Sequence, residues 1–271
     1  MAKFSVMTLM LWRMLEDGRL TDSVMLELLE EAGFDGVELS LERLTYKPHI
    51  LPAYEEYLAW SKLEVSAIDA IGNLAAPDPV QREAAVEALC SGIDMAVRMH
   101  CPLVLSAGSM LERDGCPKEA RRRVIESLRP CVAHAQAAGV TLAIENFGLA
   151  PKLLCAAADC LEVLDEVPGL GFVFDTGNFY FAGEDPEANF VRLVSHTVHV
   201  HLKDWIRTDT PELADVSCAA LGTGLIPNEA LLERFLSAGV ESFSIEVGTG
   251  GEPLEAAVRD LRQVHAWLAR V

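Results

Sequence analysis

The sequence predicts an α/β protein with one (β/α)8 barrel, a TIM barrel, as a single domain over residues 1–271. Short apolar segments alternate with amphipathic helical segments, and there are eight such pairs. This alternation produces parallel strands with right-handed crossovers, and eight pairs in about 250 residues match a closed barrel. A doubly wound open sheet is the alternative, but it seldom needs eight units, and no Gly-x-Gly-x-x-Gly segment follows the first strand.

The first half of the chain contains four predicted strand–helix units. Each strand is a short apolar segment, and each helix has apolar residues at helical spacing. Thr21 or Asp22 can cap the first helix, Gly33 can end it, and Pro79 lies in the first turn of the third helix. The predicted strands are 3–8, 34–39, 63–69 and 102–106, and the predicted helices are 20–32, 53–62, 78–99 and 117–138.

The second half repeats the same rhythm. A long loop is expected from Asp204 to Pro227, between the seventh strand and its helix. The predicted strands are 140–145, 171–175, 198–203 and 242–247, and the predicted helices are 152–166, 186–195, 228–237 and 253–269.

The charge balance argues against nucleic-acid partners. The chain has 22 basic and 41 acidic residues, which give a formal net charge of -19. Such a surface repels phosphate backbones, so no nucleic-acid partner is expected. With 51% hydrophobic residues the chain can bury a large core, and its expected partner is a small molecule.

Cysteine usage and hydropathy predict a cytoplasmic protein. The seven cysteines are an odd number without a Cys-x-x-Cys pair, which is typical of reduced thiols. The apolar N-terminal run has no small-residue cleavage site, so a first barrel strand is favoured over a signal peptide. No apolar run reaches the roughly 18 residues that span a bilayer, so no membrane partner is expected.

Three predicted strands end in an acidic residue. Apolar runs lead to Glu145, Asp175 and Glu246, at or close to the ends of strands five, six and eight. In a (β/α)8 barrel the carboxyl ends of all strands open onto one face, so these side chains are expected to meet. Close carboxylates repel one another unless a cation neutralises them, which indicates a bound divalent ion.

The seventh strand adds imidazoles to this set. Polar and apolar residues alternate over 197–205, so His199, His201 and Lys203 share one face of the strand. His201 is the favoured ligand because it lies nearer the carboxyl end, and His199 is the alternative. The predicted centre holds one divalent metal ion bound by Glu145, Asp175, His201 and Glu246.

Each ligand also has a plainer interpretation. An acidic residue after a strand is commonly a helix cap or a solvated loop residue, and a lone histidine on a strand is commonly a core group. The joint pattern at four strand ends favours the metal. Oxygen-rich coordination suits Mn2+ or Mg2+, while the imidazole also admits Co2+, Zn2+ or Fe2+.

The motifs around these residues resemble those of a known superfamily. They are Ile144-Glu145-Asn146, Asp175-Thr176-Gly177-Asn178, the segment from His199 to Asp204, Ile245-Glu246, and the Gly-Thr-Gly loop at 222–224. In strand order they are similar to motifs of the sugar phosphate isomerase/epimerase superfamily, the xylose isomerase-like TIM barrels. That superfamily includes ketose 3-epimerases, hydroxypyruvate isomerase, inosose dehydratase and endonuclease IV.

The resemblance implies roles for particular residues. It makes Glu145, Asp175, His201 and Glu246 the metal ligands, and it makes the two glutamates acid/base groups as well. Arg207 matches a substrate-binding arginine of the ketose epimerases, whereas Asn178 stands where those enzymes have a second histidine. Asp69 and Ser106-Ala107-Gly108 stand where endonuclease IV has further zinc-binding histidines, so a trinuclear cluster is not expected.

Several side chains near the predicted ligands are candidates for substrate contact. Lys203 and Arg207 could stabilise substrate oxygens, and Trp12 could form an apolar wall against a sugar ring. The plainer alternatives are a Lys203–Asp204 ion pair, a solvated Arg207 and a core Trp12. The full set of substrate-binding candidates is Lys203, Arg207, His199, Asn178, Glu38 and Trp12.

The expected function is a divalent-metal-dependent isomerase or epimerase of a sugar or sugar phosphate. One carboxylate takes a carbon-bound proton and an acid returns it, through a metal-bound enediolate. A metal-dependent dehydratase similar to inosose dehydratase is the alternative on the same site. A non-catalytic sugar-binding barrel and an AP endonuclease are more distant alternatives. A homodimer is possible, since dimers are common in the superfamily.

Overall fold

The computed structural model describes residues 2–148, 152–248 and 251–270 of the chain. Ten strands are found in these residues. They are β1 (Lys3–Met7), β2 (Gly36–Ser40), β3 (Glu64–Ile71), β4 (Leu103–Ala107), β5 (Thr141–Glu145), β6 (Gly171–Asp175), β7 (Thr197–Leu202), β8 (Asp204–Arg207), β9 (Val216–Ala219) and β10 (Ser242–Ile245).

The described residues also contain eleven α-helices, three of which have six residues or fewer. They are α1 (Trp12–Glu16), α2 (Asp22–Ala32), α3 (Leu41–Tyr46), α4 (Leu51–Trp60), α5 (Pro79–Arg98), α6 (Pro117–Ala138), α7 (Ala157–Glu166), α8 (Phe179–Ala182), α9 (Pro186–Leu193), α10 (Asn228–Ser237) and α11 (Pro253–Leu268).

Eight of the strands close into a parallel barrel, in the order β1-β10-β7-β6-β5-β4-β3-β2. The other two, β8 and β9, form an antiparallel pair. The predicted (β/α)8 TIM barrel is therefore confirmed. Parallel strands in such a barrel all end at the same rim, which is the physical basis for grouping the residues that follow them.

The chain divides into two compact units, which share the strands of the barrel between them. The first unit comprises the described residues of Met1–Leu39, Arg43–Ser66 and His199–Val271. Within it, β1 pairs in parallel with β2 and with β10, and β10 pairs with β7. The side chains of Val6, Val37, Val200 and Phe243 on these strands are fully buried.

Helix α2 of the first unit begins and ends as its sequence predicts. Thr21 is the N-cap, and its hydroxyl accepts a hydrogen bond from the Val24 N–H at 3.4 Å. Gly33 follows the helix with φ at 94°, a conformation that favours glycine. The buried face of the helix carries Met25, Leu26 and Leu29.

The second unit comprises the described residues of Ser40–Glu42 and Ala67–Val198. Strands β3, β4, β5 and β6 pair in parallel in that order. Its apolar core includes a cluster of strand residues that are mostly small or branched. The cluster consists of Ala67, Leu103, Leu105, Ala107, Ala143 and Val173.

The prediction of one long loop between the seventh barrel strand and its helix was wrong in part. Residues 204–207 and 216–219 pair as the hairpin β8–β9, with Trp205 opposite Cys218. Helix α7 also starts five residues later than predicted, at Ala157 rather than at residue 152. There the backbone of Ala156 is extended, and the Leu154 carbonyl accepts a hydrogen bond from the Phe147 N–H at 2.7 Å.

Several expectations stay predictions. A single domain over residues 1–271 is one of them, and its end residues Met1 and Val271 lie outside the described residues. None of the helices that the structure describes combines the length and the apolar character needed to cross a membrane. All seven cysteines are free thiols, and the cytoplasmic location remains a prediction.

Candidate functional site

A buried cluster of imidazoles and a carboxylate lies at the end of β7 in the first unit. His199 and His201 project from the same face of β7, with ring centroids 5.3 Å apart. Glu38, from β2, contacts both rings: its Oε1 lies 3.0 Å from His201 Nε2, and its Oε2 lies 3.5 Å from His199 Nε2. All three side chains are fully buried. The alternation read from the sequence is therefore confirmed for the two histidines.

Burial sets the protonation of this cluster. Burial lowers the pKa of His199, although the Glu38 carboxylate opposes the effect, so His199 is neutral at pH 7. Burial alone would raise the pKa of the Glu38 carboxyl, but its contacts with the His201 and His199 imidazoles hold this pKa well below its ordinary value. Glu38 is therefore a carboxylate.

Glu246 follows β10 and lies against the same cluster. Its backbone N–H donates to the Leu202 carbonyl at 3.1 Å, which continues the barrel pairing by one residue. Its carboxylate Oε2 is 3.6 Å from His201 Nδ1, and its Oε1 forms an ion pair with the Lys203 ammonium. The same ammonium lies 5.4 Å from the centroid of the Trp205 ring, within the range of a cation–π interaction.

Asp204 has a structural role that sequence reasoning missed. Its Oδ1 accepts hydrogen bonds from the N–H groups of Trp205 (2.9 Å) and Ile226 (3.0 Å). Its Oδ2 accepts from the N–H groups of Gly222 and Gly224, each at 3.0 Å. This fully buried carboxylate therefore holds the Gly-Thr-Gly loop against the end of the strand. The acid after Lys203 and the two loop glycines were the available sequence signal.

In the second unit, two carboxylates lie close together at the ends of β5 and β6. An oxygen of Glu145 and an oxygen of Asp175 are within 4.8 Å of each other, and both side chains are buried. Asp175 Oδ1 accepts from the backbone N–H groups of Gly177 (2.7 Å) and Asn178 (2.8 Å). These hydrogen bonds fix the direction of the Asp175 carboxylate.

Asn146 connects the two strand ends that carry these carboxylates. Its Nδ2 donates to the Asp175 carbonyl at 2.8 Å, and its Oδ1 accepts from the Asp175 N–H at 2.9 Å. A side-chain amide offers one donor and one acceptor side by side, so it can satisfy both backbone groups of one residue. This explains the asparagine after Glu145, which the sequence showed only as part of a motif.

The remaining candidates have different environments. Asn178 is buried and precedes α8, where its N–H group bonds Asp175. Trp12 is half-buried at the start of α1. The Arg207 side chain is 71% exposed, and its Nε lies 3.8 Å from Asp215 Oδ2. The first unit thus brings together Glu38, His199, His201, Lys203 and Glu246, and the second brings together Glu145, Asp175 and Asn178.

The closed eight-stranded barrel is the fold of a known protein family. The family model of the Xylose isomerase-like TIM barrel matches residues 26–271, so the chain belongs to this family. Among curated proteins, none has a sequence that matches this chain.

Solved structures share the fold along nearly the whole chain. The IOLI protein, described with a binding zinc atom, has a TM-score of 0.83 and 17% identity, and the match covers 99% of this chain and 98% of that one. A D-tagatose 3-epimerase-like protein has a TM-score of 0.82 and 20% identity, with the same coverage of both chains. The probable 3-DHS dehydratase AsbF from Bacillus anthracis has a TM-score of 0.79 and 16% identity, covering 97% and 98%.

The Asp204 loop generates a stability prediction at Gly224. A Cβ atom at this position would lie 2.3 Å from Asp204 Oδ1 and 2.3 Å from the Trp205 carbonyl oxygen. We expect Gly224→Ala to lower the free energy of unfolding by about 1–3 kcal/mol, because the buried carboxylate must move away from its donors. The measurement is the urea unfolding midpoint followed by circular dichroism.

Gly72→Ala is the matched control. The nearest atom to a Cβ at Gly72 is the Ala85 Cβ at 3.5 Å, which is an ordinary contact. We expect its unfolding midpoint to stay at or above the wild-type value. Equal midpoints for Gly224→Ala and the wild type would contradict the role assigned to Asp204.

Proposed function

We propose that the protein is a divalent-metal-dependent isomerase or epimerase acting on a sugar, a sugar phosphate or a small hydroxy-carbonyl compound. The observation that carries the proposal is a pair of buried potential ligands in each unit, each pair at the ends of neighbouring barrel strands. The pairs are Glu145 with Asp175, after β5 and β6, and His201 with Glu246, at β7 and after β10.

The donor set fits a divalent cation. Two buried carboxylates within 4.8 Å repel each other, and a cation against them offsets that repulsion. Strand polarity supports combining the two pairs, because strands of a closed parallel barrel end at one rim. The proposed ligands are Glu145, Asp175, His201 and Glu246. Three carboxylates and one imidazole suit Mn2+ or Mg2+ and also admit Co2+, Zn2+ or Fe2+.

His201 is the better ligand of the two histidines on β7. The Nδ1 atom of His199 lies 2.7 Å from the Ser242 hydroxyl, and its Nε2 faces Glu38. The Nδ1 atom of His201 instead lies beside Glu246, another proposed ligand. The proposal therefore keeps His201 as the ligand, as its position near the carboxyl end of the strand predicted.

The proposed reaction is proton transfer next to a carbonyl group. A bound divalent cation supplies Lewis-acid polarisation of the carbonyl and orients its neighbouring hydroxyl. Glu246 is one proton-transfer group, and its ion pair with Lys203 favours the carboxylate form, which accepts a proton. Glu145 is the other. Return of the proton to a neighbouring carbon gives an isomer, and return to the opposite face of the same carbon gives an epimer.

The substrate contacts proposed from the sequence differ in accessibility. Lys203 contacts Glu246, and this contact supports the proposal that its ammonium binds an oxygen at the reacting carbons. Arg207 lies on the exposed hairpin and would bind a more distant part of the substrate. Trp12, Asn178, His199 and Glu38 complete the set proposed from the sequence, and the last two are fully buried. The fold neighbours support a sugar-like substrate, since one is described as D-tagatose 3-epimerase-like.

A metal-dependent dehydratase is the second candidate. Asn178 stands where the ketose epimerases have a histidine, and one fold neighbour is described as a probable 3-DHS dehydratase. The same carboxylates would remove the proton, and loss of a β-hydroxyl would replace proton return. The two candidate reactions therefore begin with the same proton removal and differ in the step that follows it.

Turnover in deuterium oxide separates the two candidates. An isomerase or epimerase is expected to place solvent deuterium on one carbon of a recovered sugar of unchanged composition, because the abstracted proton exchanges before it is returned. The measurement is NMR of products from a panel of ketoses, sugar phosphates and cyclic hydroxy-ketones. An unsaturated product with release of water would instead establish the dehydratase.

Metal dependence is the first requirement of the proposal. We expect the purified protein to bind one equivalent of divalent ion, chelation to abolish turnover, and Mn2+, Mg2+ or Co2+ to restore it. Asp175→Asn should weaken metal binding, because it removes a charged ligand, whereas Asp215→Asn on the exposed hairpin should not. Elemental analysis and isothermal titration calorimetry provide the measurements. Full turnover by the metal-free protein would refute the proposal.

Glu246 is expected to be essential for the chemical step. We expect Glu246→Gln to reduce kcat by about 10²- to 10⁴-fold, because an amide cannot accept the proton. The readouts are steady-state kinetics, metal content and the thermal unfolding midpoint. Glu241→Gln, at an exposed position just before β10, is the control and should keep wild-type kcat. Wild-type kcat in Glu246→Gln would exclude the acid/base role.

A further inference from the structure

The Glu38 side chain is a buried carboxylate enclosed by imidazoles. We propose that Glu38 is a positioning residue, which fixes the ring of His201 with a proton on Nε2 so that Nδ1 presents its lone pair to the metal ion. This inference rests on the proposed function and assigns a role to a residue outside the proposed ligand set. It differs from the substrate contact expected for Glu38, since the side chain is fully buried.

The hydrogen bond between Glu38 and His201 determines which ring nitrogen carries the proton. Glu38 Oε1 lies 3.0 Å from His201 Nε2. A carboxylate only accepts hydrogen bonds, so Nε2 must be the donor. In a neutral imidazole the other nitrogen then has the lone pair, and this atom, Nδ1, lies on the side of Glu246. Metal-binding histidines commonly donate their second ring nitrogen to a carboxylate in this way.

The same carboxylate also separates the functions of the two histidines. Its second oxygen, Oε2, faces His199 Nε2 at 3.5 Å, while His199 Nδ1 is 2.7 Å from the Ser242 hydroxyl. Both nitrogens of His199 therefore face protein atoms of the first unit. We infer that His199 supports the orientation of Glu38, and that Glu38 in turn supports His201.

The backbone of Glu38 is fixed as firmly as its side chain. The residue lies in β2, where it is the register partner of Met7 in β1. The Thr8 hydroxyl donates a hydrogen bond to the Glu38 carbonyl at 2.6 Å. A carboxylate on a rigid strand can hold a ring more precisely than one on a loop. Glu38 is thus placed to fix His201 before a metal ion binds.

The test measures zinc binding and ring protonation. Isothermal titration calorimetry with ZnCl2 is run on wild type, Glu38→Gln, Glu38→Ala and the control Asp215→Asn. We expect Glu38→Ala to weaken zinc binding by about 10- to 100-fold, as for other carboxylates behind a metal-binding histidine. Glu38→Gln should have an intermediate affinity, because an amide oxygen still accepts a hydrogen bond from Nε2. Asp215→Asn changes an exposed carboxylate on the β8–β9 hairpin, outside the contacts of Glu38 and both histidines, and should leave the zinc affinity unchanged.

Two-bond 1H–15N NMR of the zinc-loaded wild type supplies a readout that needs no variant. It should show the His201 proton on Nε2 and zinc on Nδ1. Zinc on Nε2, or unchanged affinity in Glu38→Ala and Glu38→Gln, would overturn the proposal. Two zinc equivalents in the wild type and one in Glu38→Gln would also overturn it, because Glu38 would itself be a ligand.

The outcomes separate this inference from the proposed function. If the wild type binds no divalent ion, the proposed function fails and the role of Glu38 fails with it. If the wild type binds one ion and both Glu38 variants bind it equally well, only the role of Glu38 fails. Circular dichroism verifies that each variant folds. If Glu38→Ala does not fold, the NMR spectrum of the zinc-loaded wild type and the zinc affinity of Glu38→Gln test the role of Glu38.

Discussion

A buried carboxylate must be matched by hydrogen-bond donors or positive charge, and this requirement organises the strand ends. An unmatched charge in a protein interior costs roughly several kcal/mol. The chain meets the requirement in three ways. Imidazoles match Glu38, the Lys203 ammonium matches Glu246, and four backbone N–H groups match Asp204. Each of these three sets of contacts fixes a different part of the first unit.

The second unit handles charge differently. Glu145 and Asp175 bring two acidic groups within 4.8 Å in a buried setting. Backbone N–H groups and the Asn146 amide hold the Asp175 residue in place, so the repulsion cannot be relieved by rotating it away. Proteins accept unfavourable local arrangements of this kind mainly where chemistry takes place. A divalent cation against these two carboxylates would offset their repulsion.

Much of the architecture could be predicted from the sequence because barrel strands and helices leave local periodic patterns. The alternation over 197–205 indicated the shared face of His199 and His201, and Thr21 and Gly33 marked the ends of α2. The β8–β9 hairpin could not be predicted, since its pairing brings together residues that are not adjacent in the chain.

The finer contacts of the site depend on long-range hydrogen bonds. Glu38 meets His201 across 163 positions of sequence, and Asp204 bonds Gly224 across 20. No local pattern encodes such pairs, so the acid/imidazole partnership and the role of Asp204 emerged only from the fold. The motif containing Asn146 was visible, but its two-way bonding to the Asp175 backbone was not.

The arrangement around Asp204 has a consequence for evolvability. All four of its donors, in residues 205, 222, 224 and 226, lie outside the turn that joins β8 to β9. That turn can therefore lengthen, shorten or exchange its residues while the anchor beneath it stays intact. It is a suitable position for grafting peptides onto this scaffold.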